Sequence, residues 1–152
     1  MNAIQFALVG DNPYGSANIP KYENLIKNVN DTRGIQWVVH VGDMKSSGTT
    51  CNDEMLGSLS DLNRRFDAPF VLTPGDNDWF DCKRVSAGGW NRLDRLAKIR
   101  ALFYPDPVMA GSLEVNTQAA SENYPAFVEN VYWQQNNVVF ATIHIVGLNG
   151  EE

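Results

Sequence analysis

The chain has 152 residues, 43% of them hydrophobic and 20% charged, and a formal net charge of −6. This is ordinary globular composition, long enough for one buried core, so a single domain over residues 1–152 is expected. The acidic surplus, with no basic cluster to offset it, excludes a broad nucleic-acid or anionic-membrane footprint, and no apolar run approaches the ~20 residues of a membrane-spanning helix.

Ile4 to Val9 reads as a first strand, too short and too soon followed by Gly10-Asp11 for the apolar stretch of a secretory leader; a cytosolic protein and a mature exported one both fit. Asp11-Asn12-Pro13-Tyr14-Gly15 is rich in turn formers. A helix is expected from Pro20 to about Asn30, where Tyr22, Leu25, Ile26 and Val29 share a face. Ile35 to Val41 is a nearly continuous apolar run, as in a parallel strand covered on both faces. Beyond Lys45–Cys51, Asn52 or Asp53 caps a second helix with Met55, Leu56, Leu59, Leu62 and Phe66 as its apolar stripe.

Pro69 to Leu72 makes the third strand, Pro74 to Gly89 a long loop, and Trp90 to Tyr104 a helix with Arg92, Arg95, Lys98 and Arg100 turned mostly to solvent. Residues Pro105 to Ala126 contain three prolines and little periodicity, which predicts an irregular excursion. Val131 to Trp133 and Val138 to Val146 are expected strands joined through Gln134-Gln135-Asn136-Asn137. The βαβαβ order with its following strands is that of an α/β domain.

Chemistry concentrates in three Gly-Asp pairs, Gly10-Asp11, Gly42-Asp43 and Gly75-Asp76, each after an apolar run, with aspartates 32 and 33 residues apart. One strand plus one crossover helix fills that interval, so the carboxylates are expected side by side at the carboxyl ends of neighbouring parallel strands. Converging carboxylates repel unless a cation lies between them. Carboxylates with one imidazole, that of His144 near the end of the last strand, suit Mn, Fe or Zn. A cation pair bridged by one carboxylate can clamp a phosphate ester and ionise a water for in-line attack. His40, inside the second strand, is expected to be buried and structural. Cys51 and Cys82 fall on loops at the same sheet edge, either as a disulfide, which would imply a secreted or periplasmic protein, or as two thiols of a cytoplasmic one.

The order Gly-Asp, Gly-Asp, Gly-Asp-Asn-Asp, His resembles the first four motif blocks of the calcineurin-like metallophosphoesterases, which include the purple acid phosphatases. The resemblance implies an α/β/β/α sandwich, here its N-terminal half, with two divalent or trivalent metal ions acting on a small phosphorylated substrate. It makes Asp11 a ligand of one metal, Asp43 the bridge, Asp76 and His144 further ligands, Asn77 and Asp78 the candidate catalytic residues, and Lys45 a substrate contact.

The chain departs from that pattern at Asn77, Pro13, Ser46 and the closing block. Asn77 stands where the family has a histidine; an amide donates a hydrogen bond but delivers no proton near neutral pH, so good leaving groups are expected. Pro13 and Ser46 occupy positions where members place metal ligands, and the closing Gly-His-x-His block is absent. A domain of this kind is expected to expose part of its second sheet unless a second chain or a missing C-terminal half covers it. The alternative is a catalytically impaired metal- or phosphate-binding module of the same fold.

Overall fold

The computed structural model describes residues 3–145; Val146, the expected end of the last strand, and Glu151-Glu152 lie outside them. Three parallel strands, β1 (Ala7–Val9), β2 (Val38–His40) and β3 (Phe70–Leu72), form a sheet in sequence order. Helix α1 (Ile19–Asp31) crosses from β1 to β2, and α2 (Asp53–Asn63) from β2 to β3. Pro20 sits in the first turn of α1, where its missing N–H costs nothing. Asn52 caps α2 by accepting from the Met55 amide at 2.9 Å. The ladders are shorter than the apolar runs, although the flanks still pair, as in Gln36 N donating to Gln5 O at 2.9 Å.

Side chains alternate across this sheet. Val38, with Phe70 partly buried beside it, packs against Tyr22 and Ile26 of α1 and against Leu62 and Phe66. Val39 and Val71 point the other way, into a core with Trp37, Val115, Val131 and Trp133. Helices therefore cover one face and a second sheet the other, which makes the fold mixed α/β.

Helix α3 (Asp76–Trp79) and 3-10 turns at Phe80–Lys83 and Val85–Ala87 fill the segment expected as loop. Helix α4 (Arg92–Phe103) follows, capped by Asn91. Its basic residues are not simply solvated: Arg95 and Lys98 both reach Asp53, and Arg100 pairs with Glu129. The helical stripe alone could not reveal these partners, which lie 29 to 45 residues away.

The expected excursion also contains regular structure, a small hairpin of β4 (Met109–Ala110) and β5 (Leu113–Glu114) followed by β6 (Asn116–Thr117). Strand β6 pairs with β7 (Val131–Gln135), and β7 with β8 (Val138–Thr142), in an antiparallel sheet. The β7–β8 turn is the two-residue Asn136-Asn137, tighter than expected, with Asn136 at φ 54°; asparagine tolerates the positive φ such hairpins use. Trp133 and Phe140 point inward against Trp37. Tyr132 and Val139 lie on the outer face, more than half exposed.

Candidate functional site

Val9, His40 and Leu72 lie level across the parallel sheet, so the three Gly-Asp turns leave from one edge. Backbone bonds lace them together. The Asp11 amide donates to Gly42 O at 2.9 Å, and the Asn77 amide donates to Asp43 Oδ1 at 3.2 Å. Asp78 takes three more amides: those of Asp43 and Gly75 on Oδ2, both at 2.9 Å, and that of Met44 on Oδ1 at 2.8 Å.

The second and third turns touch through their glycines. A Cβ on Gly42, which has φ +88°, would lie 2.2 Å from the Gly75 nitrogen, and one on Gly75 would lie 2.0 Å from Asp43 Oδ1. Gly75→Ala must therefore push Asp43 aside. It is expected to cost about 1–3 kcal/mol, the range for overpacking, measured by denaturant unfolding; a change under about 0.5 kcal/mol would contradict this packing.

Asp11 and Asp76 are exposed and Asp43 is half-buried. Burial raises the Asp43 carboxyl above its ordinary range; the Asn77 amide opposes this, and the charges of Asp76, Asp11 and Asp81 add to it. Asp11 and Asp43 both hold positive φ, 59° and 56°, strained for residues with a Cβ. Tyr14 bridges the first and third turns: its hydroxyl accepts from Asn77 Nδ2 at 3.0 Å and hydrogen-bonds Asp11. Its ionisation is pushed up by burial, by the Asp11 bond and by the Asp43 charge. Sequence reasoning passed over Tyr14, although it stands only three residues after Asp11.

Asp78 has a different place from the other acids. It is fully buried, and burial pushes its carboxyl up to about 6 despite the three amides. It ties the loops together and does not face solvent, whereas the resemblance implies a catalytic role for it. His40 is buried as expected: Nδ1 accepts from the Gly42 amide at 3.1 Å, which leaves Nε2–H to donate to Asn12 O at 3.0 Å. Burial lowers its pKa to about 4.

His144 lies beside α3 and is held at both nitrogens. Nε2 accepts from the Trp79 indole N–H at 3.0 Å, so Nδ1–H donates to Glu129 Oε1, also at 3.0 Å. Glu129 is fully buried and accepts from Arg100 Nε at 2.9 Å and Nη2 at 2.6 Å. A carboxylate on the far nitrogen of a histidine is a common support for a metal ligand. Here the indole uses the lone pair a metal would need. Neither Glu129 nor Arg100 carried a sequence signal, since one follows an irregular segment and the other lies in a helical stripe.

Lys45 is 1% exposed, and among the described residues its ammonium makes one hydrogen bond, to Ser46 O at 3.2 Å. Burial lowers its pKa, while the charges of Asp78, Asp81 and Asp43 pull the other way. Cys51 and Cys82 form a disulfide with a Cα separation of 5.6 Å, fastening the loop after Asp43 to the segment after Asp76. Of the alternatives open for these cysteines, the paired one is found.

Three carboxylates at one edge are donors for a hard cation, and the unneutralised charge felt by Asp43 suits one. Among the described residues, however, no group of three or more His, Cys, Asp or Glu side chains is gathered as a metal centre. The donor chemistry fits, therefore, while the ligand set is open. Comparison of the chain with family models, curated proteins and solved structures gives no match.

Proposed function

We propose that this protein is a metal-dependent phosphoesterase whose cations, of the Mn, Fe or Zn type, are held by Asp11, Asp43 and Asp76. The observation that carries the reading is the lacing of three Gly-Asp turns at one sheet edge, with Asp43 opposed by the charges of Asp76 and Asp11. Bound cations supply Lewis-acid polarisation of a phosphoryl group and acidify the attacking water. The chain's own groups orient the substrate. Lys45, with N–H donors to spare, takes phosphoryl oxygens, and the side-chain amide of Asn77 donates a further hydrogen bond once it turns from Tyr14. Asp78 holds the second and third turns at fixed separation from beneath.

No side chain of the three turns delivers a proton to a departing alkoxide, so esters of acidic alcohols are the expected substrates. The fold reading that accompanies this activity is an α/β/β/α sandwich, supported by helices on one face of the parallel sheet and a second sheet on the other. The exposed Val139 and Ile143 are then the surface that a second chain or a further helical layer covers. The disulfide favours an oxidising compartment, extracellular or periplasmic.

A second reading has its own support. The seating of His144 Nε2 on Trp79 favours a module that binds metal or phosphate without turnover. Hydrolysis of 4-nitrophenyl phosphate, measured with and without added Mn²⁺, separates the two. The phosphoesterase reading expects turnover that appears with Mn²⁺ and disappears with a chelator. Phosphate or metal binding without turnover would establish the module instead.

A further inference from the structure

Beside the carboxylate edge lies a cavity of about 510 Å³ between the first two turns and α2. Its walls include Pro13, two residues after Asp11, and Met44 and Lys45, which directly follow Asp43. Ile19, Met55 and Leu59 extend an apolar lining away from that edge. A volume of several hundred Å³, walled by these apolar side chains together with Ser16, Thr49, Ser58, Asp61 and Arg65, has the size of a small-molecule site.

One polar group in the lining calls for a ligand. Lys45 is almost fully buried, yet among the described residues only the Ser46 carbonyl accepts from its ammonium. An ammonium has three donors, and buried donors are rarely left without acceptors. An anionic group beside Lys45 satisfies them, and an apolar group joined to it fills the rest of the cavity.

We propose that this cavity is the specificity pocket, and that it selects monophosphate esters of aromatic alcohols, the ring lying against Pro13, Met44 and Met55 while Lys45 meets the phosphate. The proposal rests on the phosphoesterase reading. It meets an independent chemical requirement of the same site: Asn77 cannot protonate a leaving group, and an aryl oxide departs as the anion without needing that proton. In hydrolysis water adds to phosphorus, the P–O bond to the aryl oxygen breaks, and the aryl oxide takes its proton from solvent.

Binding to the metal-free protein tests the pocket apart from turnover. By titration calorimetry, 1-naphthyl phosphate should bind at least about tenfold more tightly than glycerol 3-phosphate, from burial of the ring, and 1-naphthol should compete with it. Ser58 is exposed and lines the cavity. Ser58→Trp should abolish the preference for the naphthyl ester, Ser58→Ala should retain it, and Met55→Gln should weaken it. Thermal unfolding of each variant reports whether it is folded.

Equal binding of the two esters, or a preference that survives both Ser58→Trp and Met55→Gln in folded protein, would overturn the proposal. Naphthyl phosphate binding that depends on Ser58 and Met55, without metal-dependent turnover, would leave the pocket standing and remove the phosphoesterase reading.

Discussion

Replacing Asp43 with asparagine is expected to reduce 4-nitrophenyl phosphate turnover by at least about 100-fold, beyond the usual loss for an outer-shell partner of a metal, while raising the stability of the metal-free protein by roughly 1 kcal/mol. The two effects have one cause. Burial and the charges of Asp76, Asp11 and Asp81 all disfavour the ionised Asp43 carboxylate, so its neutral isostere removes repulsion. The asparagine carbonyl can still accept from the Asn77 amide, as Oδ1 does at 3.2 Å. Stabilisation by added Mn²⁺ should vanish in the variant, because binding to the native state is what raises its stability. An Asp43→Asn protein that is less stable without metal, or that hydrolyses ester at the parent rate, would show that this carboxylate is a structural group.

Glu129→Gln is expected to cost about 3–5 kcal/mol, the range for breaking a buried ion pair from one side. Glu129 has no exposed surface and takes two hydrogen bonds from Arg100 and one from His144. Burial alone would raise its pKa; the bonds from His144 and Arg100 outweigh it and hold the carboxyl at about 2. A pKa depressed in the folded state contributes stability above the unfolded value, near 4.5, and that contribution is lost as the pH falls toward 2. The gap between parent and variant in urea unfolding should therefore be full at pH 7 and nearly closed at pH 2.

Two other buried groups leave that acid branch clear. The raised pKa of Asp78, about 6, favours the folded state more as the pH falls from 6 toward 4, whereas the lowered pKa of His40, about 4, disfavours it over the same interval. Their slopes oppose one another and both are spent near pH 4. Loss of stability below that point then reports Glu129 together with Asp53, whose carboxyl Arg95 and Lys98 hold below its usual range, and the difference between parent and Glu129→Gln isolates Glu129. A Glu129→Gln penalty under about 1 kcal/mol at pH 7 would contradict the ion-pair account.

The parallel half of the fold was legible because its signals are local. Continuous apolar runs marked β2 and β3, Asn52 or Asp53 marked the start of α2, and the Gly-Asp pairs marked the turns; the nearly equal intervals between them implied neighbouring strands, as found in the β1-β2-β3 order. The level ends of those strands place the three aspartates along one edge, as that spacing suggested. The second half was less legible. Strands of two residues such as β4, β5 and β6 are too short to show a period, so a prolyl segment read as an excursion.

Side-chain pairings between distant elements left no trace either. Arg100 looked solvated because a stripe says which way a residue faces and not what lies across from it. Glu129 and Trp79 settle the orientation of His144, but a glutamate in an irregular segment and a tryptophan in a short helix carry no pattern linking them to a histidine 15 or 65 residues away. The burial of Asp78 was illegible for a similar reason. Two of its amide partners belong to Asp43 and Met44, 35 and 34 residues earlier, and its burial follows from that packing.

The account stands on a cation among Asp11, Asp43 and Asp76. Anomalous diffraction from crystals soaked in Mn²⁺, collected on either side of the manganese absorption edge, observes it directly. The account predicts a peak bonded to Asp43 and to at least one of Asp11 and Asp76. Fully soaked crystals with no peak at this edge, or manganese bound only elsewhere on the surface, would contradict it.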